Sequence, residues 1–259
     1  MRFARVRTTN GSDAYARIEG DRALILSAAP WLGGTPTGTE LEGAGLVAPL
    51  APSKIIGVGR NYRAHAAELD NEVPREPLLF LKPPSSVLEP GGTVLLPPES
   101  ERVDYEAELG VVIGSRARRV DRAHALDHVF GYTPVCDVTA RDLQKSDGQW
   151  ARAKGFDTFC PVGPYVVDGV EPAALGIRLA VDGELRQDGN TRDMIFDVAT
   201  LIAYISAAMT LEPGDLIATG TPHGIGPLSD GNRVRVEIEA LDPLEFAVAT
   251  EHPPSRPPA

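Results

Sequence analysis

One acidic segment, VDYEAELGVVIG at residues 103–114, constrains the fold more than any other stretch of the chain. Its pattern predicts a β-strand, in which side chains point alternately to the two faces. Asp104, Glu106 and Glu108 would then share one face, with successive carboxylates roughly 7 Å apart. At an effective dielectric of about 20, each neighbouring pair would repel by about 2 kcal/mol. A cation bound on this face would remove that cost.

The acidic face has two interpretations, a solvated outer surface or the wall of a site. A solvated face is the more common reason for charge on alternate positions of a strand. Here, however, the segment continues as Val111, Val112 and Ile113, which are apolar on both faces, as in a strand that enters a core. This continuation favours the wall of a site. Carboxylate oxygens suit a hard divalent ion such as magnesium, manganese or calcium.

Composition and net charge restrict the class of protein. With 259 residues, of which 42% are hydrophobic and 24% charged, the chain matches an ordinary globular protein that can bury a sizeable core. The formal net charge of -11 argues against nucleic acid and anionic membrane as partners, because both require a basic surface. A small molecule is therefore the expected partner.

The cysteines and the apolar stretches predict a cytoplasmic protein. Cys136 and Cys160 are too few for a disulfide framework in a chain of this length, and we expect both thiols to be buried. The amino terminus MRFARVRTTN lacks the apolar core of a signal peptide. The stretch LIAYISAAM is far too short to span a bilayer.

Pattern changes along the chain predict two domains and a tail. Residues 1–52 contain short strand-like pieces around a loop rich in glycine and threonine, which predicts a small β-rich N-terminal domain. At Lys54 the pattern changes to an apolar strand followed by a helix, and we expect a second domain at residues 53–250. The proline-rich tail at 251–259 is expected to be disordered.

Three local elements can be assigned within the second domain. LAVDGELRQDGN, at residues 179–190, predicts a hairpin with an Asp-Gly turn. Asp197 is expected to cap a helix over residues 198–209, whose apolar positions form one stripe. RVRVEIEALDPLEFAVA, at residues 233–249, predicts a closing hairpin. The basic segment SRARRVDRAHALDHV before them is interpreted as carrying a surface helix.

His65 and Glu68 are a candidate catalytic pair. They lie three residues apart in RAHAAEL, a segment of good helix formers, and therefore share one helix face. A carboxylate next to an imidazole fixes its tautomer and raises its basicity, as a general base requires. The alternative is a solvated surface pair, which is the more common arrangement.

Four further residues are candidates for metal binding, catalysis or ligand binding. Asp137 ends a predicted strand after Cys136 and is the natural third ligand for an ion bound at the acidic segment. Lys154 lies among aromatic residues, where desolvation would lower its pKa, although most lysines are simply exposed. Lys82 could bind an anion or mark the end of a strand. Thr221 is a candidate donor in a glycine-rich loop that a plain turn would explain equally well.

Several motifs in fixed order resemble one known family. They run over roughly residues 54–245 and are GVGRNYRAHAAEL, PLLFLKP, VDYEAELGVVIG, CDVTARDLQ, WARAKGFDTFCPVGP, LEPGDLIATGTPHGIG and the closing strand pair. Together they are similar to the fumarylacetoacetate hydrolase superfamily, in its bacterial branch of acylpyruvate hydrolases and 2-hydroxyhepta-2,4-diene-1,7-dioate isomerases. Seven motifs in this order are far more specific than any one of them.

The resemblance implies a fold, an assembly and a metal. The fold would be α+β and mainly β, a mixed β-sandwich roll, with residues 53–250 as the catalytic domain of a homodimer. Glu106, Glu108 and Asp137 would hold Mg2+, with Mn2+ or Ca2+ as alternatives. Asp104 matches no ligand position of the family.

The resemblance also assigns roles to the other candidates. His65 with Glu68, on a segment that orders over the substrate as a lid, would activate water, and Lys154 would stabilise negative charge. The residues that would contact substrate are Arg60, Tyr62, Lys82, Arg141, Gln144 and Thr221.

The function implied is hydrolysis of a C–C bond in an acylpyruvate-like 2,4-diketo acid, of the fumarylpyruvate or acetylpyruvate class, with release of pyruvate. Water deprotonated by His65 would attack the distal carbonyl, and Lys154 would offset the oxyanion charge. The alternative is isomerisation or decarboxylation of an unsaturated 2-hydroxy or 2-oxo diacid, as in related enzymes of aromatic catabolism. A non-catalytic metal-binding protein on the same fold is a third hypothesis, because a fold does not fix a function.

Overall fold

The structure is a computed structural model that describes residues 1–68 and 72–251. The strands in these residues are β1 (Arg2–Arg7), β2 (Asp13–Glu19), β3 (Arg22–Leu26), β4 (Pro36–Glu42), β5 (Leu46–Val47), β6 (Ile55–Gly59), β7 (Leu78–Lys82), β8 (Val87–Leu88), β9 (Thr93–Leu96), β10 (Val103–Tyr105), β11 (Ala107–Ile113), β12 (Val129–Cys136), β13 (Thr139–Ala140), β14 (Cys160–Pro161), β15 (Val166–Val167), β16 (Gly176–Val181), β17 (Glu184–Asn190), β18 (Leu216–Ala218), β19 (Gly226–Pro227), β20 (Arg233–Ile238) and β21 (Leu244–Thr250).

The α-helices are few and short. They are α1 (Arg63–Glu68), α2 (Arg141–Asp147), α3 (Ala151–Gly155) and α4 (Val198–Ala208). Short 3-10 helices occupy Pro30–Leu32, Pro84–Ser86, Arg122–His128, Pro172–Ala174 and Thr191–Asp193. In the part of the chain that the structure describes, no helix has the length and apolarity that crossing a membrane requires.

The largest sheet runs from the N-terminal strands to the acidic segment. Its order is β4-β3-β2-β1-β15-β12-β11-β18-β6-β7, with β5 also paired to β1. The β1–β15 pairing joins the first strands to the rest of the sheet. β11 lies between β12 and β18, antiparallel to both, and all seven of its residues are buried. Residues 107–113 of the acidic segment therefore lie in the core.

A second sheet covers one face of the first. Its order is β17-β16-β20-β21-β9. Among the residues that the structure describes, three strand pairs are parallel, β6–β18, β9–β21 and β8–β14. The main hydrophobic core includes Leu109 from β11, Leu179 and Val236 from the second sheet, and Leu201 and Ile205 from α4. The expected α+β, mainly β architecture is confirmed.

The elements assigned from local patterns are confirmed. β16 and β17 form the hairpin over Asp182-Gly183, where both residues have positive φ, 52° and 80°, as a type I′ turn requires. The Asp197 side chain accepts a 2.8 Å hydrogen bond from the Thr200 N–H at the start of α4. β20 and β21 form the closing hairpin. The predicted surface helix is a 3-10 helix, Arg122–His128.

The prediction of one unbroken acidic strand is wrong. The strand is interrupted at Glu106, because β10 pairs with β13 and β19 in a three-stranded sheet, whereas β11 pairs with β12 and β18 in the largest one. Asp104 pairs with Arg102 and Arg141 and is not part of the carboxylate cluster that Glu106 and Glu108 form with Asp137. The expectation for the tail falls on residues 252–259, which lie outside the described residues, as does Leu69 at the end of the lid segment.

Packing of α4 on the core gives a test of stability. Leu201 is fully buried, and its replacement by alanine leaves a cavity as well as losing apolar burial. We expect Leu201→Ala to lower the free energy of unfolding in urea by roughly 2–5 kcal/mol. Leu185→Ala is the matched control, because Leu185 is 54% exposed, and its cost is expected to stay below about 1 kcal/mol. Equal losses would contradict this description of the core.

Candidate active site

Three carboxylates converge where β11 and β12 meet. The register places Ala107 opposite Cys136, and the Asp137 N–H donates a 2.8 Å hydrogen bond to the Glu106 carbonyl. Glu106, Glu108 and Asp137 each offer an oxygen within 4.8 Å of the others, and their exposed fractions are 4%, 1% and 1%. The structure thus brings together the three residues that the sequence analysis proposed as ligands. We call them the acidic triad.

Three buried cations surround the triad. Lys154 Nζ donates to Glu106 Oε2 at 2.8 Å and to Asp137 Oδ2. Lys82 Nζ donates to Asp137 Oδ1 at 2.6 Å, and Arg141 Nη2 donates to Glu106 Oε1. Burying these carboxylates without partners would cost several kcal/mol each. The ion pairs are therefore what allows Glu106 and Asp137 to be buried as anions.

Glu108 is held differently. Its Oε2 accepts a 2.8 Å hydrogen bond from the Gly220 N–H, and among the described residues no salt bridge to it is found. Burial raises the pKa of Glu108 well above its usual range, and the charges of Asp137 and Glu106 raise it further. A divalent cation next to the triad would offset the charges of Asp137 and Glu106 and would favour the ionised form of Glu108. Because the donors are hard carboxylate oxygens, the residues present fit Mg2+, Mn2+ or Ca2+.

The predicted pKa shift of Lys154 is wrong in direction. Burial lowers the pKa of Lys154, as expected, but the carboxylates Asp137 and Glu106 more than compensate, and the net shift is upward. The aromatic neighbourhood does exist, since Lys154 Nζ lies 4.9 Å from the centroid of the Phe80 ring. The carboxylates therefore favour the charged form of Lys154, which suits it to stabilising negative charge.

His65 and Glu68 form the predicted contact on α1. His65 Nδ1 lies 3.3 Å from Glu68 Oε2, and the imidazole is 4% exposed. The other Glu68 oxygen accepts a 3.0 Å hydrogen bond from the Gly224 N–H. The carboxylate thus links α1 to the loop that follows β18. With Nδ1 held by Glu68, His65 presents Nε2 as the free ring nitrogen.

Two residues of the triad, Glu106 and Glu108, line one cleft together with His65 and Lys154. Four of the predicted substrate contacts also line it: Arg60, Arg141, Gln144 and Thr221. Arg141 Nη1 donates to Gln144 Oε1 at 2.6 Å, so these two side chains orient each other. Trp150, one of the aromatic residues near Lys154 in the sequence, also lines the cleft.

Two of the predicted substrate contacts lie elsewhere. Lys82 is 1% exposed and lies behind the triad, bonded to Asp137 and to the Lys154 carbonyl. Tyr62 is 2% exposed and lines a neighbouring cleft with Arg63, Arg192 and others. Its hydroxyl has no hydrogen-bond partner among the described residues. Burial raises the pKa of Tyr62 strongly, and the charge of Glu108 adds to this shift.

Sequence reasoning missed two residues that hold the cleft together. Asn61 is fully buried, and its Nδ2 donates to the carbonyls of Thr219 at 2.7 Å and Phe196 at 3.0 Å. Gln187 is also fully buried and bonds to Thr221 and to the Ala107 amide. Both bind partners far away in the sequence, so no local pattern could have indicated them.

Comparison with known proteins identifies the family. Residues 54–249 match the model of the fumarylacetoacetate (FAA) hydrolase C-terminal domain, and residues 1–49 match the model of an Rv2993c-like N-terminal domain. The first match spans most of the chain and includes every residue of the triad and of the cleft. The chain therefore belongs to the fumarylacetoacetate hydrolase family.

Named relatives have several activities. The chain is 48% identical over 202 residues to the mitochondrial oxaloacetate tautomerase FAHD1 of Arabidopsis thaliana, covering 76% of this chain and 91% of that protein. It is 42% identical to 2-hydroxyhepta-2,4-diene-1,7-dioate isomerase from Mycobacterium marinum, with a TM-score of 0.90 over 97% of this chain and 99% of that one. Maleylpyruvate hydrolase from Sphingobium.sp SYK-6 is 33% identical, with a TM-score of 0.79 over 97% and 100%. The family is one of enzymes that act on small molecules.

Metal affinity tests the triad directly. Glu108→Gln keeps the size of the side chain but removes its charge. We expect this variant to bind Mn2+ roughly 100-fold more weakly or worse, as measured by calorimetry, because even residues that only support the metal ligands contribute about 10–100-fold to affinity. Asp104→Asn is the matched control, because this buried carboxylate pairs with Arg102 and Arg141 outside the triad. Its Mn2+ affinity should change by less than about 3-fold. The same loss of Mn2+ affinity in both variants would contradict the assignment of the acidic triad as the metal site.

Proposed function

We propose that the protein is a divalent-metal-dependent hydrolase that cleaves the C–C bond of an acylpyruvate-like 2,4-diketo acid and releases pyruvate. The observation that carries the proposal is the position of the His65–Glu68 pair, whose imidazole lines the same cleft as Lys154 and as Glu106 and Glu108 of the acidic triad. A base, a cation and a set of hard oxygen ligands are the groups that this hydrolysis requires.

The triad would hold the metal ion. Glu106, Glu108 and Asp137 supply carboxylate oxygens, and burial together with the charges of Asp137 and Glu106 raises the pKa of Glu108. When bound, the ion supplies Lewis acidity and a template for the carboxylate and 2-oxo oxygens of the substrate. Magnesium is the proposed ion, with manganese or calcium as alternatives.

The side chains around the cleft would carry out the proton transfer and stabilise the charge that develops. Glu68 holds Nδ1 of His65, so that Nε2 accepts a proton from water, and the oxygen of that water bonds to the distal acyl carbon. The bond between this carbon and the methylene group breaks, and its electron pair remains on the pyruvyl fragment until a proton returns to the methylene carbon. One water is consumed, and a carboxylic acid and pyruvate are formed. Lys154 and Arg141 provide the positive charge that faces the developing oxyanion.

The second candidate function is isomerisation, tautomerisation or decarboxylation of an unsaturated 2-hydroxy or 2-oxo diacid. The names of the isomerase from Mycobacterium marinum and of the tautomerase from Arabidopsis thaliana favour it. Isomerisation and tautomerisation would use the same base to move a proton on carbon next to the 2-oxo group. Decarboxylation would instead break the bond to a carboxylate, release carbon dioxide and return a proton to the carbon that is left, and none of these reactions needs attack by water. We further propose a cytoplasmic homodimer with an N-terminal domain at residues 1–52.

Product analysis separates these functions. The purified protein is given acetylpyruvate, fumarylpyruvate, oxaloacetate or 2-hydroxyhepta-2,4-diene-1,7-dioate, each with Mg2+ and with a chelator. We expect pyruvate from the acylpyruvates with Mg2+ and none above background with the chelator. Turnover of the diacids without cleavage of either acylpyruvate would support the second function. No turnover of any of the four would support a non-catalytic metal-binding protein.

The base is tested by its own variants. We expect His65→Ala to lower kcat by about 100-fold to 10,000-fold, the usual contribution of a general base, while Mn2+ affinity is retained. Glu68→Gln should lower kcat less, because it weakens the hold on the tautomer without removing the imidazole. Glu72→Gln, an equivalent change at an exposed residue four positions further along the chain, is the control and should leave kcat unchanged. Full activity of His65→Ala would exclude the imidazole as the base.

A further inference from the structure

Gln187 connects the candidate active site to the second sheet. Within β17 it is the one fully buried side chain. Its Nε2 donates to Thr221 Oγ1 at 2.8 Å and to the Pro222 carbonyl at 2.9 Å, while its Oε1 accepts from the Ala107 N–H at 2.9 Å. Ala107 stands between the triad residues Glu106 and Glu108, and Thr221 lines the cleft. One amide therefore contacts both halves of the site.

The orientation of this amide is fixed by its partners. A reversed amide would place its NH2 group against the Ala107 N–H, which is a donor, and its oxygen against the Pro222 carbonyl, which is an acceptor. Both contacts would be repulsive and buried. Nε2 must therefore face Thr221, and it donates both of its hydrogens to the residues after β18.

This orientation determines what the Thr221 hydroxyl can do. Its oxygen already accepts from Gln187, and among the described residues the hydroxyl donates to no acceptor. Its hydrogen is therefore available to an acceptor in the cleft, where Glu106, Glu108 and Lys154 also lie. A hydroxyl that accepts one hydrogen bond is also a stronger donor of its own.

The backbone is shaped to allow this contact. The register of β16 and β17 shifts between Leu179 and Ala180, so that Arg186 is an extra residue next to Gln187, and such bulges redirect side chains. β17 also packs very close to the loop after β18. A Cβ on Gly224, at φ +93°, would lie 2.3 Å from the Arg186 carbonyl oxygen, and one on Gly189 would lie 2.5 Å from Pro222 Cβ. Glycine at both positions lets Gln187 reach Thr221.

We infer that Gln187 is a positioning residue that keeps the Thr221 hydroxyl as a hydrogen-bond donor to an anionic oxygen of the bound 2-oxo acid. The inference rests on the proposed function for the class of ligand, although it concerns binding and requires no cleavage. Gln187 touches no ligand itself. It acts through Thr221 and, by holding the Ala107 amide, steadies the backbone between two residues of the triad.

A double-mutant cycle on ligand affinity tests this inference. The probe is oxalate, whose adjacent carboxylates resemble the carboxylate and 2-oxo oxygens of the substrate, titrated into the Mn2+-loaded protein. Thr221→Val removes the hydroxyl at constant size, and Gln187→Met removes the amide at similar length. Each is expected to weaken oxalate binding by roughly 10-fold, the equivalent of one good hydrogen bond. The double variant should bind no more weakly than Thr221→Val alone, because the two residues act through one hydroxyl.

The matched control is Gln144→Met. Gln144 also lies at the cleft, but it bonds to Arg141, so its effect on oxalate affinity should add to that of Thr221→Val. Gln187→Glu is the second variant, because a carboxylate can still accept from Ala107 but cannot donate to Thr221; it should reproduce the loss seen in Gln187→Met.

Three results would overturn the inference. The first is that the losses of oxalate affinity in Gln187→Met and Thr221→Val are additive. The second is that Gln187→Met loses as much affinity for Mn2+ as for oxalate, which would indicate a purely structural role. The third is that the Mn2+-loaded wild-type protein does not bind oxalate. None of them depends on whether acylpyruvates are cleaved. A protein that binds oxalate and shows the expected cycle, but cleaves no acylpyruvate, would keep the role of Gln187 and reject the hydrolase.

Discussion

Electrostatic balance among buried groups is the constraint on which the rest of the site depends. Glu106 and Asp137 are buried as anions because Lys154, Lys82 and Arg141 are buried beside them. Removing one member of such a network costs about 3 to 5 kcal/mol, since an uncompensated charge stays behind in the interior. Arg141 must also serve Asp104, so the three cations do not neutralise all of the nearby carboxylates. Glu108 forms no salt bridge with these cations among the described residues, and a divalent ion next to it would favour its ionised form.

The break at Glu106 is what turns an acidic strand into a site. Before the break, β10 belongs to a small sheet and presents Asp104 to Arg102 and Arg141. After it, β11 enters the largest sheet, where its register with β12 brings Asp137 next to Glu106. An unbroken strand would have kept three carboxylates in a row along one face. Changing the pairing partner within a few residues instead gathers two of them with a third from the neighbouring strand.

How much could be predicted from sequence depended on the distance between partners along the chain. The two hairpins, the Asp197 cap and the His65–Glu68 contact involve near neighbours, so local patterns were sufficient. The triad was predictable because carboxylates on a strand are conspicuous and because a family resemblance supplied Asp137. The upward shift in the pKa of Lys154 was not, because the aromatic neighbours suggested desolvation while Glu106 acts from 48 positions away. Thr221 was a candidate donor, but its contact with Gln187, 34 positions away, gave no signal in the sequence.

The loop after β18 couples recognition of the ligand to the orientation of the base. Thr221 lines the cleft as a donor, and three residues later the Gly224 N–H holds the carboxylate of Glu68, whose other oxygen contacts His65. A displacement of this loop would therefore move the donor and the partner of the base together. Hydrolysis and proton transfer on carbon differ in whether the imidazole acts on water or on the substrate. The same buried charges could support either reaction. The position of α1 relative to this loop, together with the shape of the ligand between them, would then determine whether hydrolysis or proton transfer on carbon takes place.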